Sequence, residues 1–232
     1  MPGAGAEAMK APMSTAKAED TRKRILQAAL GLFQTRGFDD TTMREIAQAA
    51  GVATGAAYYY FASKEAMVMA FYELASREMQ PGIAEALAER GSLEEHLRRL
   101  IETKLRYFEP NRVLLGALLR HATDPRHPLS PFSQETRAIR EADIEAFALA
   151  LTASETRVPK DLAGPLPRLL WMFQLALIFF WITDHSAAQV RTHKLLERSV
   201  RLVANLIKLA GLPLMRPLRK TVLDLIEIVE TP

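Results

Sequence analysis

The segment Thr41–Glu65 limits most strongly what this chain can fold into. Its sequence is TTMREIAQAAGVATGAAYYYFASKE. Apolar and small residues recur at helical spacing on both sides of Gly51, which predicts two short helices joined by a tight turn. The second of these helices starts with small residues and ends in three adjacent tyrosines, and no acidic side chain occurs from Gly51 to Lys64. These features favour a helix that enters a groove lined with phosphates.

Helix start signals frame this segment on both sides. Thr42 and Glu45 have the spacing of a capping box, in which hydroxyl and carboxylate satisfy the first free N–H groups of helix two. Ser63 is placed to cap a fourth helix in the same way. The turn between helices two and three is Gly51-Val52-Ala53, so the order of elements predicts a helix-turn-helix.

Helix stop signals set the length of the flanking helices. A first helix is predicted from Asp20 or Thr21 to Arg36, because Gly37 takes the left-handed conformation that commonly ends helices. Helix four is predicted to end before Pro81-Gly82. The chain beyond this point also repeats at helical spacing, without strand-like alternation, so the predicted fold class is all-α. Its predicted helices cover residues 82–90, 93–108, 111–123, 133–154, 165–184, 188–210 and 214–230.

Composition sets limits on the function. The 232 residues are 49% hydrophobic and carry a net charge of +3, which allows a sizeable core and leaves nucleic-acid binding open if basic groups cluster on one face. The absence of cysteine excludes disulfides and thiolate chemistry and is consistent with a cytoplasmic location. Residues 1–19 lack the apolar run of a signal peptide, and we predict a disordered tail there.

The run Leu169–Ile182 is the strongest candidate for a membrane segment. It reads LLWMFQLALIFFWI and is shorter than the roughly 20 apolar residues that a spanning helix needs. A helix that is apolar on all sides is also typical of a protein core. We therefore predict a buried core or interface helix and no membrane partner.

Enzymatic and metal-binding patterns are absent from the sequence. None of the five histidines forms an i, i+4 pair with another, and His121 with Asp124 supplies two ligands where a zinc site needs about four. The sequence contains neither a phosphate-binding glycine loop nor a nucleophile elbow. We predict no catalytic residues, no metal and no cofactor.

The helix-turn-helix supplies several groups suited to DNA. Hydroxyls of threonine and tyrosine, together with lysine, donate to phosphates, and Arg44 can bridge the O6 and N7 atoms of guanine. Thr54 is placed to touch a base edge or a thymine methyl group. Three adjacent tyrosines cannot all face the core at about 100° per residue, so we expect one of them to be partly structural and Phe61 to be fully so.

The segment from Thr21 to about Phe71 resembles the DNA-binding domain of TetR-type transcriptional regulators. The matching stretches are ILQAALGLFQTRGF, TTMREIAQAAGV and GAAYYYFASKEAM, in this order and at fixed spacing. The resemblance implies a homodimer with a DNA-binding domain at residues 20–80, which includes the connecting helix, and a ligand-binding and dimerisation domain at residues 81–232. It places the DNA contacts on Thr42, Arg44, Thr54, Gly55, Ala56, Tyr58, Tyr59, Tyr60 and Lys64.

Two departures weaken base readout. The position that opens helix three is often serine in the family, and here Ala53 has no capping group. The next position is often lysine, arginine or proline, and here it is Thr54. Base readout is therefore expected to depend more on Arg44 and on DNA shape than on helix three.

The C-terminal domain is expected to hold an effector and to dimerise. Helices 165–184 and 188–210 are predicted to supply a four-helix dimer interface, with monomer core as the alternative. The last helix, 214–230, is amphipathic and is expected either to cover the sensor core or to extend the dimer contact. Candidate effector contacts are Phe108, Leu115, Leu119, Arg120, His121, Trp171, Met172, Gln174, Leu175 and Phe179.

The resemblance implies a repressor that leaves a palindromic double-stranded DNA operator when a small molecule binds, and the apolar candidate contacts predict an apolar or amphipathic effector. The alternative is a helical carrier or interaction protein whose helix-turn-helix serves packing only. Salt-sensitive binding to duplex DNA separates the two, because phosphate contacts release counterions.

Overall fold

The computed structural model describes residues 11–88, 90–122, 124–154 and 156–230, and all regular structure in these ranges is helical. The predicted all-α fold is therefore confirmed. Short 3₁₀ turns lie at Glu109–Asn111, Leu119–His121, Ala187–Gln189 and Pro213–Met215. The α-helices are α1 (Ala11–Arg36), α2 (Met43–Ala49), α3 (Thr54–Tyr60), α4 (Lys64–Ala88), α5 (Leu93–Phe108), α6 (Arg112–Leu118), α7 (Arg137–Ala153), α8 (Leu166–Thr183), α9 (Val190–Ala210) and α10 (Arg216–Glu230).

Helix α1 starts earlier than predicted. Its first residue is Ala11, so residues 11–19 are helical rather than disordered, while residues 1–10 of the predicted tail lie outside the described residues. Three of the nine residues in this stretch are alanine, the strongest helix former, and Pro12 lies in the first helical turn, where proline is tolerated. The predicted end is confirmed, because Gly37 has φ +93° and Phe38 is buried against Phe33, with ring centroids 5.1 Å apart.

Helix α4 is longer than predicted and joins the two halves of the chain. It continues through Pro81 to Ala88, so the predicted boundary at residues 80 and 81 falls inside one helix. Proline removes one backbone hydrogen bond, but α4 packs along both α5 and α7. Tertiary packing therefore outweighs the local stop signal.

The two halves also share a core. Leu114 and Leu118 of α6 and Leu129 of the following loop are buried in the same apolar cluster as the N-terminal helices. Gln34 of α1 donates to Asn111 at 2.7 Å. These contacts make the C-terminal half part of the support for the helix-turn-helix.

Helix α8 has three distinct faces, which its uniformly apolar sequence conceals. One face packs in the core of the C-terminal half and includes the fully buried Trp181. A second face, which includes Leu175, lines an internal cavity. The third face carries Met172, with 43% of its surface exposed, and the half-exposed Phe180.

Helix α8 is long and apolar enough to cross a membrane, but core helices of soluble proteins pass the same test. Here α8 packs against α6, α7 and α9, and it has an open face. These contacts favour the predicted assignment to core or interface.

Helix α10 does not cover the sensor core. Its first turn is held by Arg219, which pairs with Asp161 at 2.9 Å and donates to the Ala210 carbonyl at 2.6 Å. Its apolar side chains Leu218 and Leu225 remain 55% and 58% exposed. The expected cover over the C-terminal core is therefore not formed by these side chains, and extension of a dimer contact stays a prediction.

Asp184 ties the end of α8 to the start of α9. It accepts hydrogen bonds from the backbone N–H and hydroxyl groups of Ser186 and Thr192, at 2.7–3.0 Å. Burial disfavours its charge, but these bonds outweigh burial and hold the pKa of Asp184 well below its ordinary value.

This lowered pKa predicts how acid affects stability. A depressed carboxyl pKa stabilises the fold above the unfolded value of about 3.9 and loses that contribution as pH falls towards the folded value. We expect Asp184→Asn to lower the melting temperature at neutral pH, and the gap to wild type to shrink below about pH 4. Thermal unfolding of both proteins from neutral to strongly acidic pH measures this, and a gap that stays constant with pH would contradict it.

Candidate nucleic-acid interface and effector cavity

Helix α2 starts as the sequence predicts. The Glu45 N–H donates to the Thr42 hydroxyl at 3.3 Å, and the Thr42 N–H donates to the Glu45 carboxylate at 2.8 Å. The capping box is thus confirmed. The bonds from Thr42 lower the pKa of Glu45, and Arg36 adds an ion pair at 2.7 Å.

The turn between α2 and α3 fixes the angle of the second helix. Gly51 has φ +66°, a conformation that favours glycine. The N–H groups of Gly51 and Val52 donate to Gln48 and Ala47 at 3.1 and 3.0 Å, which closes the end of α2. Val52 packs against the N-terminal core. Helix α3 is held by this core at Ala57, which is fully buried.

The outer face of α3 carries two tyrosines. Tyr59 is 84% exposed and Tyr58 is 53% exposed. Tyr60 is half-buried, packs on the core and lies edge-on to Tyr59, with ring centroids 5.2 Å apart. Phe61 is buried. The expectation of one partly structural tyrosine and a structural Phe61 is confirmed.

The remaining outward positions of the helix-turn-helix are small or polar. Arg44 projects from α2 and is exposed, as are Thr42, Thr54 and Gly55, whereas Ala56 is half-exposed. Ala53 precedes α3 without a side-chain cap. The first turn of α3 is therefore thin and uncapped.

Lys64 and Thr41 have partners within the chain. The Lys64 ammonium donates to the carbonyls of Phe38 and Asp39 at 2.6 and 3.1 Å and lies 4.8 Å from the centre of the Phe38 ring. Thr41 is buried and donates to the Gly37 carbonyl at 2.7 Å. Lys64 thus fixes the α1–α2 loop as well as standing at the start of α4, and Thr41 is unavailable to DNA.

A cavity of about 150 Å³ lies between α4, α5, α6, α7 and α8. Six of the ten side chains predicted to contact an effector line this cavity. They are Phe108, Leu115, Leu119, Trp171, Leu175 and Phe179.

The other four side chains predicted to contact an effector do not line this cavity. Met172 is on the outer face of α8, and Gln174 is buried on the core face of α8, about 100° around the helix from Leu175, which lines the cavity. Arg120 is exposed and pairs with Asp39. The His121 ring stacks on His127 with centroids 4.0 Å apart.

Arg120 and His121 lie at the junction of the N-terminal and C-terminal halves. Their partners, Asp39 and the neighbouring Phe38, lie in the loop after α1. Burial, followed by the charges of His127 and Arg120, lowers the pKa of His121. Arg120 and His121 of the 3₁₀ turn after α6 therefore contact the loop after α1, while Leu119, the first residue of the same turn, lines the cavity.

The sequence did not predict the polar side chains that line one part of the cavity, its polar end. Tyr72, Lys104, Arg140 and Asp143 line it, and Lys104 forms an ion pair with Asp143, 39 residues further along the chain. One signal was available: Lys104 lies on the same face of α5 as its buried leucines. A lysine in an apolar stripe indicates a buried charge that needs a partner.

Family models match both halves of the chain. The model for bacterial regulatory proteins of the tetR family matches residues 25–71, and that for the tetracyclin repressor-like C-terminal domain matches residues 96–226. The chain belongs to the TetR family of transcriptional regulators. The predicted resemblance of residues 21–71 is therefore confirmed, and the match of residues 96–226 extends the family assignment beyond that segment.

Curated transcriptional regulators match this chain over alignments of different length. The regulator SrpR of Pseudomonas putida is 45% identical over 65 residues, which cover 28% of this chain and 30% of SrpR. The regulator TtgR of Pseudomonas putida is 28% identical over 201 residues, which cover 83% of this chain and 89% of TtgR. The alignment spans less than half the length of SrpR, and the same is true of the regulators TtgW of Pseudomonas putida and AcrR of Shigella flexneri.

Solved TetR structures share the fold. PfmR of Thermus thermophilus superposes with a TM-score of 0.54 at 25% identity, over 79% of this chain and 95% of PfmR. A TetR-family protein of Syntrophomonas wolfei gives a TM-score of 0.61 at 22% identity, over 80% of this chain and 95% of that one. FadR of Bacillus subtilis, solved with stearoyl-CoA, gives 0.58 at 18% identity, over 77% and 97%.

Proposed function

We propose that this TetR-family protein is a repressor that binds a palindromic DNA operator as a homodimer and is released by a small molecule. The observation that carries the proposal is the outer face of α3, which is thin at Gly55, exposes Tyr58 and Tyr59 and carries no acidic group. Tyrosine hydroxyls and the neighbouring Arg44 supply the donors that phosphates and base edges accept.

Two exposed apolar faces support dimerisation. Helix α9 carries Leu202, Leu206 and Leu209 on one side, each 44–58% exposed, and α8 presents the Met172 face described above. Contiguous exposed apolar surface of this kind marks interfaces. A two-fold dimer would present two copies of α3 to half-sites about 34–36 Å apart.

The cavity is placed to influence the DNA-binding half. Leu118 and Leu129 line the cavity and are also buried in the core that supports α1–α3. Tyr72 contributes to the cavity from α4, which begins directly after the helix-turn-helix. A ligand that fits one arrangement of these residues better than another shifts the DNA-binding geometry by that difference in affinity.

The proposal is tested by selecting bound duplexes from a random pool with the purified protein. We expect a palindromic sequence to be enriched and its affinity to fall steeply with salt. A helical carrier protein whose helix-turn-helix only packs would enrich no sequence and show no salt-sensitive duplex binding, and that outcome would replace our proposal.

Arg44 is expected to read a base. We predict that Arg44→Ala relaxes the preference at one base pair of each half-site, by about 1–3 kcal/mol, because a guanidinium contact to guanine is lost. Competition binding with single-base variants of the selected duplex measures this. Arg77→Ala, an exposed arginine on α4, is the matched control and should leave the preference unchanged; an unchanged preference in Arg44→Ala would remove the base-reading role.

A further inference from the structure

The polar end of the cavity carries more positive than negative charge. Lys104, Arg140 and Asp143 are the charged side chains in the lining. Lys104 and Asp143 pair with each other, and their side chains are only 9% and 15% exposed. Because this pair is neutral as a unit, Arg140 leaves the lining with one net positive charge.

Arg140 is held in place by neutral groups. Its Nη1 donates to the Pro131 carbonyl at 2.8 Å and the Ser133 carbonyl at 2.9 Å. Within the described ranges no carboxylate forms a salt bridge with it. Burial, followed by the charge of Arg168, lowers the pKa of Arg140, and the charge of the adjacent Glu141 only partly opposes this. The surroundings therefore disfavour its charge, and an anion would relieve that cost.

The size and walls of the cavity limit the rest of a ligand. A volume of about 150 Å³ is close to that of an engineered cavity that binds benzene. Phe108, Trp171 and Phe179 form aromatic walls, with leucines between them. In this conformation the cavity accommodates one aromatic ring or a short acyl chain.

We propose that the effector is a small monocarboxylate whose apolar body fills the cavity and whose carboxylate pairs with Arg140. This rests on the proposed function, which makes the cavity an effector site. The planar guanidinium matches a carboxylate with two parallel hydrogen bonds. A cationic ligand would instead have to take Asp143 from Lys104, and breaking a buried ion pair is strongly unfavourable.

Three probes of one shape and different charge test the proposal: benzoate, benzamide and benzylamine. Calorimetry and thermal shift on the full-length protein at neutral pH measure their affinities. We expect benzoate to bind at least about ten-fold more tightly than either of the others, since one charge-assisted contact separates them. A fourth probe, hexanoate, keeps the carboxylate and replaces the ring with a short acyl chain. Equal or tighter binding of benzamide or benzylamine than of benzoate would overturn the proposal. Absence of binding by both benzoate and hexanoate would also overturn it.

Variants of α7 locate the contact. Arg140→Gln should weaken benzoate binding about 10- to 100-fold while the affinity for benzamide changes little. Arg137→Gln, an exposed arginine paired with Glu141 on the same helix, should leave benzoate binding unchanged. If Arg140→Gln fails to fold, Arg140→Lys keeps the charge without the two-pronged geometry and should still prefer benzoate to benzamide. Unchanged benzoate binding in a folded Arg140→Gln protein would overturn the assignment.

Release of the selected duplex separates this proposal from the proposed function. If benzamide released the duplex at the same concentration as benzoate, the carboxylate specificity would be overturned and the proposed repressor function would stand. If the protein bound no duplex but still preferred benzoate, the proposed repressor function would be overturned and the carboxylate site would be supported.

Discussion

Replacing Gly55 with glutamate is expected to lower operator affinity by more than about 100-fold, because like charges brought together at an interface cost several kcal/mol. Gly55 is exposed on α3, and a Cβ atom built there meets no atom within 4 Å. The new carboxylate would therefore face the phosphates, once in each copy of the dimer, without disturbing the protein core. The fold itself should gain stability, by up to about 1 kcal/mol, because glycine is a poor helix former and an acid suits the first helical turn.

The opposite signs of these two effects make the test specific. Fluorescence anisotropy with the selected duplex gives the affinity, and thermal unfolding gives the stability. Gly55→Gln has nearly the same size without the charge and should retain more affinity than Gly55→Glu, while both unfold at or above the wild-type temperature. Affinity within a few-fold of wild type for Gly55→Glu would show that this face of α3 does not approach DNA.

The features that the sequence predicted correctly depend on residues a few positions apart. The capping box at Thr42 and Glu45 and the left-handed Gly37 are local devices whose geometry follows from spacing alone. The same rule would have identified Ser92 and Glu95, which form a second capping box at the start of α5. Local chemistry thus predicts the helix-turn-helix in detail.

The features that the sequence missed depend on packing between distant segments. Pro81 is a strong local stop signal, but α4 continues past it because α5 and α7 support it. The faces of α8 could not be told apart from the sequence, because a helix that is apolar all round has no periodic signal. For this reason Met172 and Gln174 were predicted to contact an effector, although neither lines the cavity. The partners Lys104 and Asp143 lie on different helices, and only the fold brings them together.

The second large effect is expected at the proposed dimer face on α9. Leu206→Glu should convert the dimer to a monomer at micromolar concentration. Leu206 is 53% exposed between Leu202 and Leu209 on the outer stripe of α9, so the isolated fold tolerates a charge there. In the dimer each copy would bury an unpaired carboxylate, which costs several kcal/mol per ion in a protein interior.

Operator affinity should fall as the dimer is lost. In a dimer the second half-site contact is intramolecular and gains from a high effective concentration, and separate monomers lose this gain. Light scattering after size exclusion gives the mass, and anisotropy gives the affinity. Val113→Glu, at a 69% exposed apolar position on α6, is the matched control and should remain dimeric. A dimer that persists in Leu206→Glu would place the interface away from α9, and monomers that bind the operator as tightly as wild type would separate DNA binding from dimerisation.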